Sequence, residues 1–179
     1  MIPFIIVVVL IIIIAIAIRP SEIISRWHHF FDEVQYSAQE YYSSLDDCIE
    51  KRKIPNGQWT RKNFFETSIV SAQRQYFRVS NVVYIFDICA SPYGSGFFVS
   101  WWLRESKSLA ELAFERFFKA SFRKTYYEMD TQTMFREAVH QAVLEAIQKM
   151  TTAKGIRGLT ELEQKMTLNP KLIFDVKPI

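Results

Sequence analysis

Apolar residues open the chain in one unbroken block. The pattern then turns helical, then alternating, then helical again. Residues 2–18 hold fourteen Ile, Val, Leu or Phe side chains, two Ala and one Pro, and no charged or hydrogen-bonding side chain. At about 1.5 Å per residue the block reaches roughly 26 Å, close to a hydrocarbon core of about 30 Å. It predicts a transmembrane helix, with Pro3 tolerated in the first turn. Ala15-Ile16-Ala17 has the small-x-small form of a signal-peptide cleavage site. No basic residue precedes the block, however, and Ile18 continues it, so a retained anchor over residues 1–19 is the expectation.

The segment 20–31 follows as an expected juxtamembrane linker. Trp27, Phe30 and Phe31 sit where an interfacial aromatic belt would lie. His28 and His29, with Asp32 and Glu33, raise the question of a metal site. Neighbouring histidines on a helix point apart and share an ion poorly, so no metal site is assigned.

Residues 32–179 are expected to form one soluble α+β domain. Val34, Ala38, Tyr41, Leu45, Cys48 and Ile49 recur at helical spacing and predict a helix over 32–51, ended by Pro55-Asn56-Gly57. Alternation then predicts strands over 58–67, 73–79, 82–90 and 97–103, the middle pair joined through Ser80-Asn81. The loop 91–96 carries Gly94-Ser95-Gly96, without the lysine and helix that a phosphate-binding loop requires. The helical period returns over 108–123, where Ser108 and Glu111 have capping-box spacing. A cleaner stripe from Phe135 to Met150 predicts a helix over 132–151, capped at Asp130-Thr131. Thr160 and Glu163 repeat the capping-box spacing before a short helix to about Met166, and residues 172–176 are expected as an edge strand or docking tail. The expected architecture is therefore a transmembrane helix, a helix on a four-stranded antiparallel meander, and two or three C-terminal helices.

Charge and cysteine content change this picture little. The net charge of +3 gives no concentrated basic face, so no nucleic-acid partner is expected. Arg19 and Arg26 follow the apolar block and nothing basic precedes it, which places the domain on the cytoplasmic side, the bacterial inner membrane being the expected setting. Two cysteines make no disulfide framework. Aromatic residues, at 15%, exceed what a core of this size needs and point to a partner or a lipid surface.

No motif in the chain carries a recognisable catalytic or cofactor chemistry, and no cofactor is assigned. Asp87 and Cys89 lie two residues apart on one strand and so share a face; with His140 they are the candidate set for an enzymatic alternative. A cysteine in a buried strand is more often an inert small hydrophobe. The expected interaction surface consists of Trp101 and Trp102, neighbours that must face opposite ways on a strand, and of Phe114, Phe117 and Phe118, bordered by Arg116, Lys119 and Arg123. The functional expectation is a membrane-tethered interaction module or complex subunit. It would hold the bilayer through residues 2–18 and another protein, or a second copy, through its aromatic surface.

Overall fold

The computed structural model describes residues 23–64, 74–106 and 125–168. Its elements run β1 (Ile23–Phe31), α1 (Ala38–Lys51), β2 (Gln58–Phe64), β3 (Arg74–Ser80), β4 (Tyr84–Tyr93), β5 (Gly96–Glu105), α2 (Tyr126–Lys154) and β6 (Thr167–Leu168). The strands form one antiparallel sheet in the order β2-β3-β4-β5-β1-β6.

The two described helices lie on the same face of that sheet. Its inner face presents Phe77 and Val79 from β3, Phe86 and Ile88 from β4, Phe97, Val99, Trp101 and Leu103 from β5, and Trp27 and Phe31 from β1, all buried. From α1, Tyr41 meets Phe97 and Tyr42 stacks near Phe77. From α2, Phe135 meets Phe86, and Val139, Val143, Ala146, Ile147 and Met150 are buried alongside. The Tyr42 hydroxyl reaches into the ladder itself. It accepts from the Ala90 N–H at 2.8 Å and donates to the Gln75 carbonyl at 2.8 Å, satisfying two main-chain groups between β3 and β4.

Local chemistry sets the ends of these elements. Ser37 caps α1 by accepting from the Gln39 N–H. Thr125 and Glu128 form a reciprocal capping box at the start of α2, and Gly155 closes it with a left-handed φ of 66°. Asn81 accepts from the Val83 and Tyr84 amides in the β3–β4 turn. Gly94, at φ 58°, turns the tight β4–β5 hairpin in which Tyr93 pairs with Gly96. A Cβ on Gly96 would strike the Phe30 ring and the Phe31 carbonyl, so β1 and β5 approach closely there only because this residue is glycine.

The structure corrects the expected architecture in several places. The sheet has six strands rather than four, and the described residues hold two helices rather than a helix followed by two or three more. Much of the expected linker 20–31 is instead β1, which pairs along its length with β5 and places Trp27 in the core. A strand whose only long partner lies some seventy residues away leaves no local trace of its pairing. The helix foreseen over 32–51 starts at Ala38, and α2 begins six residues before the expected 132, because Thr125 rather than Asp130 supplies the cap. Around Thr160 and Glu163 the capping-box bonds form, yet they close a turn and not a regular helix.

The membrane-anchored architecture, with its single-pass localisation, is corrected too: among the described residues no helix is long and apolar enough to cross a membrane. The block 2–18, the segment 108–123 and the tail 172–176 lie outside the described residues.

Candidate functional site

The face of the sheet that neither described helix covers carries the most chemistry. Strand registration arranges its side chains in cross-strand rows about 4.8 Å apart from strand to strand. One row runs Arg26, Trp102, Asp87, Arg78, Thr60 across β1, β5, β4, β3 and β2. The next runs His28, Ser100, Cys89, Tyr76, Lys62. Beyond it lie Phe30 paired with Phe98, and Arg74 paired with Phe64. Phe30 and Phe64 are each 39% exposed, and Phe98, Trp102 and Tyr76 are half-buried.

Asp87 organises the centre of this face. It accepts from Arg78 through two parallel bonds, Nε to Oδ1 at 2.6 Å and Nη2 to Oδ2 at 3.0 Å, and Arg104 Nε approaches Oδ2 at 3.4 Å. The Arg78 and Asp87 side chains keep only 14% and 13% of their exposure, so this fork is shielded from water and from salt. Two guanidinium groups are also held against rings: Arg26 lies 5.7 Å from the Trp102 ring centre and Arg78 5.2 Å from that of Phe64. On the five long strands this face carries Arg26, Lys62, Arg74, Arg78 and Arg104 against the single carboxylate of Asp87.

The candidate catalytic set does not converge. Asp87 and Cys89 share the outer face, as their spacing predicts, whereas His140 sits on α2 against the inner face. His140 Nδ1 accepts from Trp101 Nε1 at 3.1 Å, and its other nitrogen, Nε2, lies 2.8 Å from the Gln164 carbonyl. An indole N–H only donates and a carbonyl only accepts, so the ring is fixed as the neutral Nε2–H tautomer with both nitrogens engaged. Burial lowers its pKa below the ordinary 6.5 and keeps it neutral. Burial raises the Cys89 thiol, which makes the thiolate scarce. The sheet lies between the sulfur and the imidazole, so neither activates the other.

The aromatic pair divides as its alternation requires. Trp101 is fully buried between the sheet and α2, while Trp102 lies on the outer face. Phe114, Arg116, Phe117, Phe118, Lys119 and Arg123 lie outside the described residues. His28 and His29 point to opposite faces of β1. His28 is exposed beside Phe98; His29 packs between Trp27 and Phe31, and burial lowers its pKa. Among the described residues no three metal-ligating side chains gather.

Two further features lie away from the sheet's outer face. A cleft of about 340 Å³ runs between α2 and residues 161–168, with Arg136, Glu137, Glu161 and Lys165 on its walls and Leu144 and Met166 in its lining. Its charges balance, and its histidine is the one already engaged on both sides. Where the helices meet, Lys149 Nζ donates to Cys48 Sγ at 3.1 Å and pairs with Glu145, which also meets Arg52. Cys48 is fully buried, and burial raises its thiol.

Sequence reasoning singled out Asp87 and Trp102 but missed Arg26, Arg74, Arg78 and Arg104. The signal was present in β3, where Arg74, Tyr76 and Arg78 alternate with the buried Phe77 and Val79. Comparison with protein-family models, with curated proteins and with solved structures finds no match for this chain.

Proposed function

We propose that the protein is a non-catalytic interaction module, a subunit that docks a partner protein on the outer face of its sheet. One observation carries this reading: α1 and α2 both pack on the inner face, and the opposite face is lined with half-exposed rings and guanidinium groups already held in place. Aromatic and arginine side chains are the types most enriched where proteins bind one another. Fixing them before binding reduces the ordering that association requires.

The test is isolation of the full-length protein from its native source under mild conditions, followed by cross-linking of any stoichiometric partner. The expected result is cross-links to the strands bearing Trp102, Phe98 and Arg26, and release of the partner by Trp102→Ala with folding retained. Cross-links confined to the α1–α2 side would overturn the reading. So would a Trp102→Ala variant that keeps its partner but loses several kcal/mol of stability, since that face would then be covered by the chain itself.

A further inference from the structure

The outer face of the sheet narrows the chemistry of the partner it would dock. Among the described residues five cationic side chains lie on that face against one carboxylate, and that carboxylate is already engaged by two of them. Arg26, Lys62 and Arg74 are exposed. We propose, resting on the docking reading, that the partner presents a carboxylate-rich protein segment, received by Arg26, Lys62 and Arg74 around the Asp87–Arg78 fork.

The geometry of the rings separates this occupant from the other common polyanion, a single-stranded nucleic acid. Base recognition on a sheet needs rings whose faces are free to stack. Here Arg26 occupies a face of Trp102, Arg78 lies over Phe64, and Tyr76 meets Phe64 edge-on at 5.1 Å. On the covered faces of Trp102 and Phe64 a base would have to displace a guanidinium group to stack. A carboxylate has less to displace: the Arg78 edge is already taken by Asp87, but Arg26 is exposed, and a planar guanidinium matches a carboxylate in a two-bond fork.

Asp87 plays a second part in this arrangement. It holds Arg78 in a fixed place on β3, so the carboxylates of a partner meet Arg26, Lys62 and Arg74 set around an already paired fork. Steering of this kind speeds encounter and weakens as salt is added. The alternation of cations with half-buried Phe98, Trp102 and Tyr76 supplies apolar contact between the charges, so that the complex need not rest on exposed ion pairs alone.

The experiment uses the full chain with two defined probes, poly-L-glutamate and oligo(dT), and follows binding by tryptophan fluorescence at rising salt. The expected result is binding to poly-L-glutamate that weakens as salt rises, and a loss of about tenfold in the double variant Arg26→Gln/Arg74→Gln, with thermal unfolding unchanged. Tighter binding to oligo(dT) than to poly-L-glutamate would overturn the proposal, and so would equal binding of poly-L-glutamate by the double variant. If the native partner is cross-linked to the outer face but poly-L-glutamate does not bind, the acidic chemistry fails while the docking reading stands. If the native partner maps elsewhere, the docking reading itself fails.

Discussion

Replacing Asp87 by Ala tests the centre of the outer face most directly. In the native protein its carboxylate takes both bonds of the Arg78 fork, at 2.6 and 3.0 Å, and a longer contact from Arg104 at 3.4 Å. A hydrogen bond to a charged group contributes about 1.5–3 kcal/mol, and stripping the partner from a fully buried ion costs about 3–5 kcal/mol. The Arg78 side chain retains 14% exposure, so some of its charge can be rehydrated. A loss of about 2–3 kcal/mol is therefore expected. Urea denaturation followed by far-UV circular dichroism measures it, the shift being in the midpoint with an unchanged slope.

The companion variant Asp87→Leu/Arg78→Met removes both charges of the fork and puts an apolar pair in its place, while the Arg104 side chain, 29% exposed, can turn to the solvent side. It should return to within about 1 kcal/mol of the native protein, because an apolar pair carries no desolvation cost. If Asp87→Ala loses less than about 0.5 kcal/mol, the fork is a surface ion pair with no organising role. If the double variant is less stable than the single one, the cost lies in packing rather than in an orphaned charge.

Three other perturbations probe the framework that carries this face. Tyr42→Phe leaves the Ala90 N–H and the Gln75 carbonyl without their partner and should cost about 2–3 kcal/mol in urea denaturation, with faster hydrogen exchange at Ala90. Gly96→Ala drives a methyl into the Phe30 ring and the Phe31 carbonyl. It should cost about 1–3 kcal/mol, read as a lower thermal midpoint, and should loosen β1 from β5. Burial holds the His140 and His29 pKa values below 6.5, so on acidification the unfolded chain takes up protons before the folded one does. Stability should accordingly fall as the pH drops through about 6.5, and His140→Gln should flatten part of that fall; an unchanged slope would mean that His140 is not held neutral.

What the sequence made legible was whatever rests on local periodicity. The stripe from Phe135 to Met150 does lie buried along α2, and the alternation around Phe77, Phe86 and Phe97 does mark three strands of one antiparallel run. Trp101 and Trp102 divide between core and outer face because neighbours on a strand must. What stayed hidden rests on partners distant in the chain. Residues 23–31 carry Ser25, Arg26, two histidines and a mixed burial pattern, so their period is obscured, and only pairing with 97–104 makes them a strand. The same lack of a visible partner left Asp87 as an oddity in an apolar run. Its chemistry depends on Arg78 one strand away and Arg104 on another, and registration, not composition, brings the three together.

The failure of the Cys89–His140 pairing follows from the same geometry. Both residues are buried, Cys89 on β4 and His140 on α2. Yet Cys89 pairs with Ser100 while Trp101, the very next residue, binds His140. A single step along β5 exchanges one face of the sheet for the other. That step separates a core histidine, fixed as a hydrogen-bonded bridge between Trp101 and Gln164, from a face whose charge and rings are directed outward. The division is therefore set by parity along the strands: odd-numbered positions of β5, such as Phe97 and Trp101, face the two helices, and even-numbered positions, such as Phe98 and Trp102, face the other way.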